Sequence, residues 1–415
     1  MNIPQLRFPE FSKNWEKHKF GEIASFSKGK GISKADIVEN SAIECIRYGE
    51  LYTTYGETIS DVKSRTNIDA NDLVFSEAND VIIPASGETQ IDIATASCVL
   101  RNGIALGGDL NIIKTQNNGV FLSYYLNYKK KLEIASLAQG ISVVHLYSSQ
   151  LSLLELNLPS NAEQDKIALF IRSNDEKLQA LKKKKSLLAD YKKGVMQKLF
   201  LSELALERLK DDGIENEEEE NPTILKSQKS KFRQLRFKDE NGKEFADWEV
   251  KKLGEVLEYE QPTNYLVSST EYDDKFETPV VTAGKTFILG YTDEIKGIFK
   301  ENLPVIIFDD FTTATQFVDF HFKAKSSAMK ILKAKNNSNI KFLYEAMKMI
   351  DYEIGGHGRH WISVFAEMEI SIPSIQEQTQ IANFLSSIDK KINNIQIQIA
   401  QTEQWKKGLL QKMFV

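Results

Sequence analysis

Pro159-Ser160-Asn161-Ala162-Glu163-Gln164-Asp165-Lys166-Ile167-Ala168-Leu169-Phe170 and, 214 residues later, Pro373-Ser374-Ile375-Gln376-Glu377-Gln378-Thr379-Gln380-Ile381-Ala382-Asn383-Phe384 are two copies of one helix start. The copies align without a gap from Leu156 to Phe200 and from Ile370 to Phe414, with 16 of 45 positions identical. Agreement of this length at one offset marks an internal repeat, and a repeat decides the fold before any single element does. Asp175 and Lys177 recur as Asp389 and Lys391, Lys192-Lys193-Gly194 as Lys406-Lys407-Gly408, and Gln197-Lys198 as Gln411-Lys412. Each block opens behind proline and serine with glutamate in its first turn, which is helix-start chemistry.

The blocks read as long amphipathic helices. Ile381, Leu385, Ile388, Ile392, Ile395 and Ile399 keep 4-3-4-3 spacing, a coiled-coil seam. The first block carries Ile167, Ile171, Leu178, Leu181, Leu188, Val195 and Leu199, interrupted by Asn174 and Lys185, polar residues of the kind that fix register. This helix is expected to run on through Leu201–Lys210 and to stop near Gly213. Two like stripes in one chain are expected to pack on each other, antiparallel if each helix ends away from its own globular segment.

A second echo precedes each block. Leu6-Arg7-Phe8 recurs as Leu235-Arg236-Phe237, and Trp15 and Gly21-Glu22 recur as Trp248 and Gly254-Glu255. His145 stands 14 residues ahead of Pro159, and His360 stands 13 ahead of Pro373. The organisation is therefore a first globular domain over 1–155, a helix over 156–213, an acidic linker over 214–234, a second globular domain over 235–369 and a second helix over 370–415. The linker holds Glu217-Glu218-Glu219-Glu220-Asn221-Pro222, where like charges repel and proline ends any helix. Apolar runs at Leu73-Val74-Phe75, Val81-Ile82-Ile83, Val280-Val281, Val305–Phe308 and Met329–Leu332 predict strands, and Phe121–Ser136 and Phe342–Asp351 predict helices. The fold class is thus mixed α/β, α+β in character: two globular domains separated by two long helices, as a pseudo-twofold repeat.

Composition bounds the function. A chain of 415 residues has room for two to four domains at roughly 100–200 residues each. With 53 basic and 58 acidic residues the formal net charge is −5, which excludes a surface coated in positive charge. The positive excess sits on the helices: 156–200 carries 10 basic and 5 acidic groups, including Lys182-Lys183-Lys184-Lys185, read as a solvated face. Cys45 and Cys98 form no pair with metal or redox spacing and are expected to be buried free thiols of a cytoplasmic protein. No stretch reaches the roughly 18 apolar residues of a membrane helix.

Catalytic signatures are missing. There is no GxxxxGK[ST], no HExxH and no GxGxxG. Asp309-Asp310 follows a strand without a matching Glu-x-Lys, so a turn is the better reading. His357 and His360 sit in a glycine-rich loop rather than at metal-ligand spacing, so no metal is expected. The globular segments instead interleave donors with aromatics in loops. In the first these are Lys28, Lys30, Arg47, Tyr48, Tyr52, Thr53, Thr54, Ser86, Thr89 and His145. In the second they are Thr263, Asn264, Tyr265, Lys285, Tyr291, Thr312, Thr313, His357, Arg359, His360 and Trp361. Lys, Arg and Thr hold phosphates, Arg, Asn and Thr read base edges, and glycines let a backbone come close. Clusters of this kind on one duplicated frame, with different content, point to a reader of sequence.

At these residues the chain resembles the DNA-specificity (S, HsdS-type) subunits of type I restriction-modification systems, along essentially its whole length. Tyr48-Gly49-Glu50-Leu51-Tyr52 with Val81–Thr89, and Pro279–Gly284 with Ile306–Thr312, look like two varieties of that family's target recognition domain. Leu-Pro-Ser…Glu-Gln-x-x-Ile and Lys-Lys-Gly-x-x-Gln-Lys-x-Phe look like its repeated conserved region; the acidic linker departs from the pattern. The resemblance implies a non-catalytic subunit whose domains each read one half of a bipartite double-stranded DNA target. It implies helices that space the readers and dock two modification (M) subunits, here through Ile167, Phe170, Leu178, Leu181, Ile381, Phe384, Leu385, Ile388, Ile392 and Ile395. S-adenosylmethionine and adenine-N6 methylation would belong to those partners, ATP and Mg to restriction (R) subunits, and no cofactor to this chain. A helix of about 38 residues spans about 57 Å, against about 34 Å for one DNA turn, so such a spacer is long enough for its task. The alternative is a duplicated coiled-coil scaffold that binds protein partners rather than DNA.

Overall fold

The computed structural model describes residues 3–140, 142–211, 235–284, 286–350, 352 and 360–414, with backbone alone for 201–211. The acidic linker, 214–234, lies outside the described residues. Two compact units emerge: Met1–Lys182 with Ile397–Val415, and Lys183–Gln396. Each unit is a globular domain plus parts of both long helices.

In the first unit the central sheet is built around β1 (Ala24–Lys28), β2 (Val81–Pro84) and β3 (Leu110–Thr115), with β3 in the middle and antiparallel to both neighbours. Short strands Ser97–Val99 and Thr58–Ile59 extend it beyond β2. Ile112 packs into one core layer and Ile113 into another, so both faces are covered. That is why these strands read as unbroken apolar runs rather than as alternation. A three-stranded sheet of Ser64–Thr66, Ile43–Ile46 and Ala105–Leu106 lies alongside. Leu73-Val74-Phe75, expected as a strand, makes only an isolated bridge from Phe75 to Ala105. The expected helix over Phe121–Ser136 forms as α1 (Gly119–Tyr125), continued by a π-helical turn and a further helical stretch to Leu137.

The second unit repeats this plan with β4 (Leu257–Glu260), β5 (Val305–Asp309) and β6 (Met329–Ala334). Here β6 is central, antiparallel to β4 and β5, and Thr315–Val318 adds an edge. Ile306 and Phe308 enter one core layer, Val305 and Ile307 the other. The expected strands at 280–281, 305–308 and 329–332 all form, and α3 (Ile340–Met347) is the expected helix.

The two long helices are α2 (Asn161–Asp211) and α4 (Ile375–Met413). They pack antiparallel within each unit: Lys182 pairs with Glu403 in the first, and Lys185 donates to Gln396 in the second. The seam is only part of the story. Ile167, Ala168 and Ile171 join the first domain's core, and Ile381, Ala382, Leu385 and Ile388 the second's. The far end of the opposite helix's repeated block closes each core. Leu409, Leu410, Met413 and Phe414 enter the first, and Val195, Met196, Leu199 and Phe200 the second. Phe414 meets Phe121 at 5.6 Å, and its repeat partner Phe200 meets Phe342 at 5.5 Å.

Three repeated motifs converge on one carboxylate in each unit. Arg7 donates to both oxygens of Glu163 at 2.7 Å, and Trp15 Nε1 donates to the same group. Arg236 and Trp248 do the same for Glu377. Gln164 and Gln378, one residue on, each accept from the backbone N–H of an asparagine that caps α1 or α3: Asn118 and Asn339. The opening segment, the helix start and the domain's own helix are thus fastened at a single point. Antiparallel strands Glu16–Lys19 with Glu155–Leu158, and Glu249–Lys252 with Glu369–Ile372, join the same region.

The repeated aspartates face the repeated lysines. Asp175 pairs with Lys406 at 2.5 Å and accepts from the Tyr124 hydroxyl; Asp389 accepts from Lys192 at 2.7 Å and Lys341 at 3.1 Å. Burial pushes both carboxyls up. For Asp175 burial wins, with Glu57 adding to it, and the carboxyl ends above its usual range. For Asp389 two ammoniums prevail and it ends below. The signs follow. Asp389 contributes stability above the ordinary carboxylate range and loses it as pH falls through its lowered value. Asp175, with its value raised, contributes stability below the ordinary carboxylate range and loses it as pH rises through the raised value. At pH 7, Asp389→Asn is expected to lower the urea midpoint and Asp175→Asn to leave it nearly unchanged. Equal losses would refute this ordering.

Among the described residues no helix is long and apolar enough to cross a membrane, and no group of His, Cys, Asp and Glu is placed to hold a metal ion. Cys45 and Cys98 are buried and free, and burial pushes their thiols up to about 11 and about 12.

Candidate nucleic-acid interface

In both domains some of the donor-rich segments gather at one end of the central sheet. In the first, β1 ends at Lys28, which pairs with Asn111 at the start of β3, and Asn111 pairs with Ile83 near the end of β2. Adjacent strands lie about 4.8 Å apart, so these ends are neighbours. Beyond β2, Ser86 pairs with His145 and Gly87 with Val144. Asn111, fully buried, donates from its amide to the Leu146 carbonyl at 3.0 Å, and Leu146 N–H donates to Ala85 at 2.9 Å. Tyr52 closes the cluster: a methyl group on Gly87 would sit 3.9 Å from its ring. His145 stacks with Tyr147, both exposed, at 6.3 Å between ring centroids.

The remaining candidates of this domain divide by what already holds them. Thr89 caps a short helix through Asp92, and Thr53 donates to the Gly49 carbonyl; both are exposed. Thr54 is exposed beside Thr53. Arg47 lies against Glu50 at 3.4 Å, and Tyr48 packs on the core. Glu50 is buried and accepts from the Arg47 N–H and the Ser64 hydroxyl. Lys30 pairs with Asp72. Ser86 itself is buried at its side chain, leaving its segment to act through backbone and neighbours. Gly29, between Lys28 and Lys30, lies against the protein's own chain: a Cβ there would sit 2.0 Å from the Gly107 carbonyl.

The second domain builds the same corner with different residues. Glu260 ends β4 and leads to Thr263-Asn264-Tyr265; Tyr265 donates to Glu260 at 2.7 Å, which raises its own hydroxyl to about 12. Beyond β5 the chain turns through Asp310-Phe311-Thr312-Thr313. Asp309 holds the turn by accepting from the N–H groups of Phe311 and Thr312 at 2.9 and 2.8 Å. Asp310 is buried and pairs with buried Lys330 at 3.2 Å. It also accepts from Trp361 N–H at its carboxylate and from His360 N–H at its carbonyl. Ala85 and Leu146 hold the first domain's corner together in the same way. Asn111 and Lys330 are equivalent, each one residue into the central strand. A polar residue at that place in Leu110-Asn111-Ile112-Ile113 and Met329-Lys330-Ile331-Leu332 is the signal by which both positions are legible in the sequence.

Asp309 is therefore a turn residue, as its setting suggests, while Asp310 is an anchor, so neither carboxylate is free for chemistry. Trp361 and His360 are buried. The Trp361 ring meets Phe308 at 5.4 Å, and His360 Nδ1 lies 3.2 Å from the Tyr352 hydroxyl. Tyr291 stands in the separate sheet of Thr278–Val281, Ile288–Thr292 and Lys323–Ala324. Lys285, His357 and Arg359 lie outside the described residues. Phe311 and Tyr147, both exposed at these corners, were not among the expected contacts.

On the helices, Ile167, Leu178, Ile381, Leu385, Ile388 and Ile395 are buried, and Phe170, Leu181, Phe384 and Ile392 are half-buried. Phe170 packs edge-on against Trp405, and Phe384 against Phe237.

Comparison with known proteins agrees with this frame. A family model described as "Type I restriction modification DNA specificity domain" matches residues 12–189 and 246–403. The type I restriction enzyme EcoR124I/EcoR124II specificity subunit of Escherichia coli is 52% identical over 126 residues, covering 29% of this chain and 31% of that protein. The MjaVIII specificity subunit of Methanocaldococcus jannaschii is 25% identical over 257 residues, 61% of this chain and 51% of that one. The aligned stretches thus span about a third and about half of these curated relatives. The crystal structure of a type I restriction-modification S subunit from M. genitalium superposes with a TM-score of 0.69 at 17% identity, covering 100% of this chain and 99% of that one.

Proposed function

Since the chain belongs to the type I restriction modification DNA specificity family, we propose that it is the non-catalytic, sequence-reading subunit of a type I restriction-modification complex. Each domain reads one half of a bipartite double-stranded DNA target with the sheet-end corner described above, and α2 and α4 set the unread gap. One observation carries this reading: the same corner is built twice on one frame, with different side chains at its tip. A scaffold for protein would have no need of two different tips. The partners are two modification subunits, which bind S-adenosylmethionine and methylate adenine N6, and restriction subunits, which use ATP and Mg.

The test is a map of methylated adenines in cells that make this subunit with its modification partner. A bipartite motif with a fixed gap is expected, and its absence sinks the proposal. One heptad added to each of α2 and α4 lengthens the pair by about 10 Å, so the gap is expected to grow by about three base pairs at about 3.4 Å each. Both half-sites should stay unchanged. A gap of unaltered length would refute the spacer role while leaving the reading role standing.

A further inference from the structure

Two energetic costs meet beneath one exposed aromatic side chain in the second domain. Thr313 has φ 57°, a left-handed conformation that a β-branched residue adopts only when its surroundings enforce it. Asp310 and Lys330, 2% and 1% exposed, form a buried ion pair, which gives little net stability for the desolvation it requires. Both fix the same five-residue turn. Thr313 N–H donates to the Asp309 carbonyl and Asp309 N–H to Ala314, both at 2.9 Å, and Asp310 fastens the turn to the start of the His360–Ser363 helix. At its tip stands Phe311, 44% exposed and followed by two threonines. A single exposed ring is ordinary on a surface; what sets this one apart is that a strained turn and a buried ion pair hold it in place.

We propose that Phe311 is a specificity-determining residue of the second domain, covering the C5-methyl group of a thymine in the major groove. This rests on the DNA-reading function proposed above and names the contact. The chemistry selects the partner. A β-hairpin turn fits the major groove, and the thymine methyl is the one apolar group that base edges present there. Thr312 and Thr313, beside the ring, supply hydroxyls and methyls for the flanking edge. The first domain has Ser86 at the corresponding position, buried and strand-paired with His145, so it carries no counterpart of this ring.

The experiment uses the subunit in complex with its modification partner, once the methylated motif is mapped. Synthetic duplexes carry the motif with each thymine in turn replaced by deoxyuridine, which removes only the methyl group. Wild type is expected to lose about three- to tenfold in affinity at one thymine. Phe311→Ala is expected to lose a similar factor on unmodified DNA and to show no further loss at that deoxyuridine. Phe311→Leu, which keeps an apolar tip, should retain part of the penalty at the same position, and this variant carries the test if the alanine form does not fold. The assignment is overturned if Phe311→Ala binds as wild type, if it keeps the wild-type pattern of deoxyuridine losses, or if neither half-site contains thymine. A map without any bipartite motif refutes the reading function itself, a separate result.

Discussion

Glu163→Ala is expected to destabilise the first unit by about 3–5 kcal/mol, the typical loss when one partner of a buried ion pair is removed. The Glu163 side chain is 2% exposed and that of Arg7 11%. Without the carboxylate, the guanidinium keeps its desolvation cost and loses its bidentate partner, and the Trp15 indole N–H loses its acceptor. The carboxylate holds Arg7 even more firmly charged than usual, so the arginine cannot escape by shedding its proton. Glu377→Ala should cost less, because Arg236 is 30% exposed and water can reach it. Glu163→Gln keeps acceptor and shape and should fall between wild type and alanine. Urea midpoints at constant slope, with hydrogen exchange to assign the unit affected, give the order Glu163→Ala, then Glu377→Ala, then wild type. A reversed order would show that exposure of the arginine does not govern the cost.

Phe414→Ala is expected to cost about 3 kcal/mol, the lower part of the range for removing a buried phenyl ring. The loss should fall on the first unit although the residue is next to the end of the chain. Phe414 is 6% exposed and packs against both Phe121 and Tyr125. Nearby, Leu6 N–H donates to the Lys412 carbonyl at 2.9 Å, so the chain's opening segment is held by its closing helix. Phe200→Ala should act on the second unit instead, through Phe342 and Trp248. The discriminating measurement is amide exchange in Gly119–Tyr125 against Ile340–Met347. Faster exchange in the second helix on Phe414→Ala would contradict the pairing of each domain with the opposite repeat's helix.

The Glu163 and Phe414 effects were half legible. Arg7, Trp15 and Glu163 each have a repeat partner, so their importance was visible in the sequence. Their meeting was not, because about 150 residues separate them and spacing along a chain does not report distance across a core. The heptad stripe behaved similarly. A 3.5-residue period says that one face is buried, and it cannot say against what. Ile167 and Ile171 face a globular core, although their spacing is that of a helix–helix seam. Leu73-Val74-Phe75 shows the limit of short apolar runs: three residues carry no period, and this stretch lies against a sheet with one bridge instead of joining it.

By itself the sequence determined the duplication, the helix positions, the mixed α/β character of the domains and the lack of catalytic signatures. Those follow from local rules of period, capping and composition, which act over a few residues. Only the tertiary structure decided that candidates as distant as Lys28, Ser86 and His145, or Thr312 and His360, share one sheet end. It alone withdrew Trp361 into the core, turned Asp310 from a possible acid into an anchor, and left Phe311 standing at the tip. The reason is physical. Whether a side chain is buried, paired or presented depends on strands that hydrogen bonds bring side by side from remote parts of the chain, and no local pattern encodes that neighbourhood.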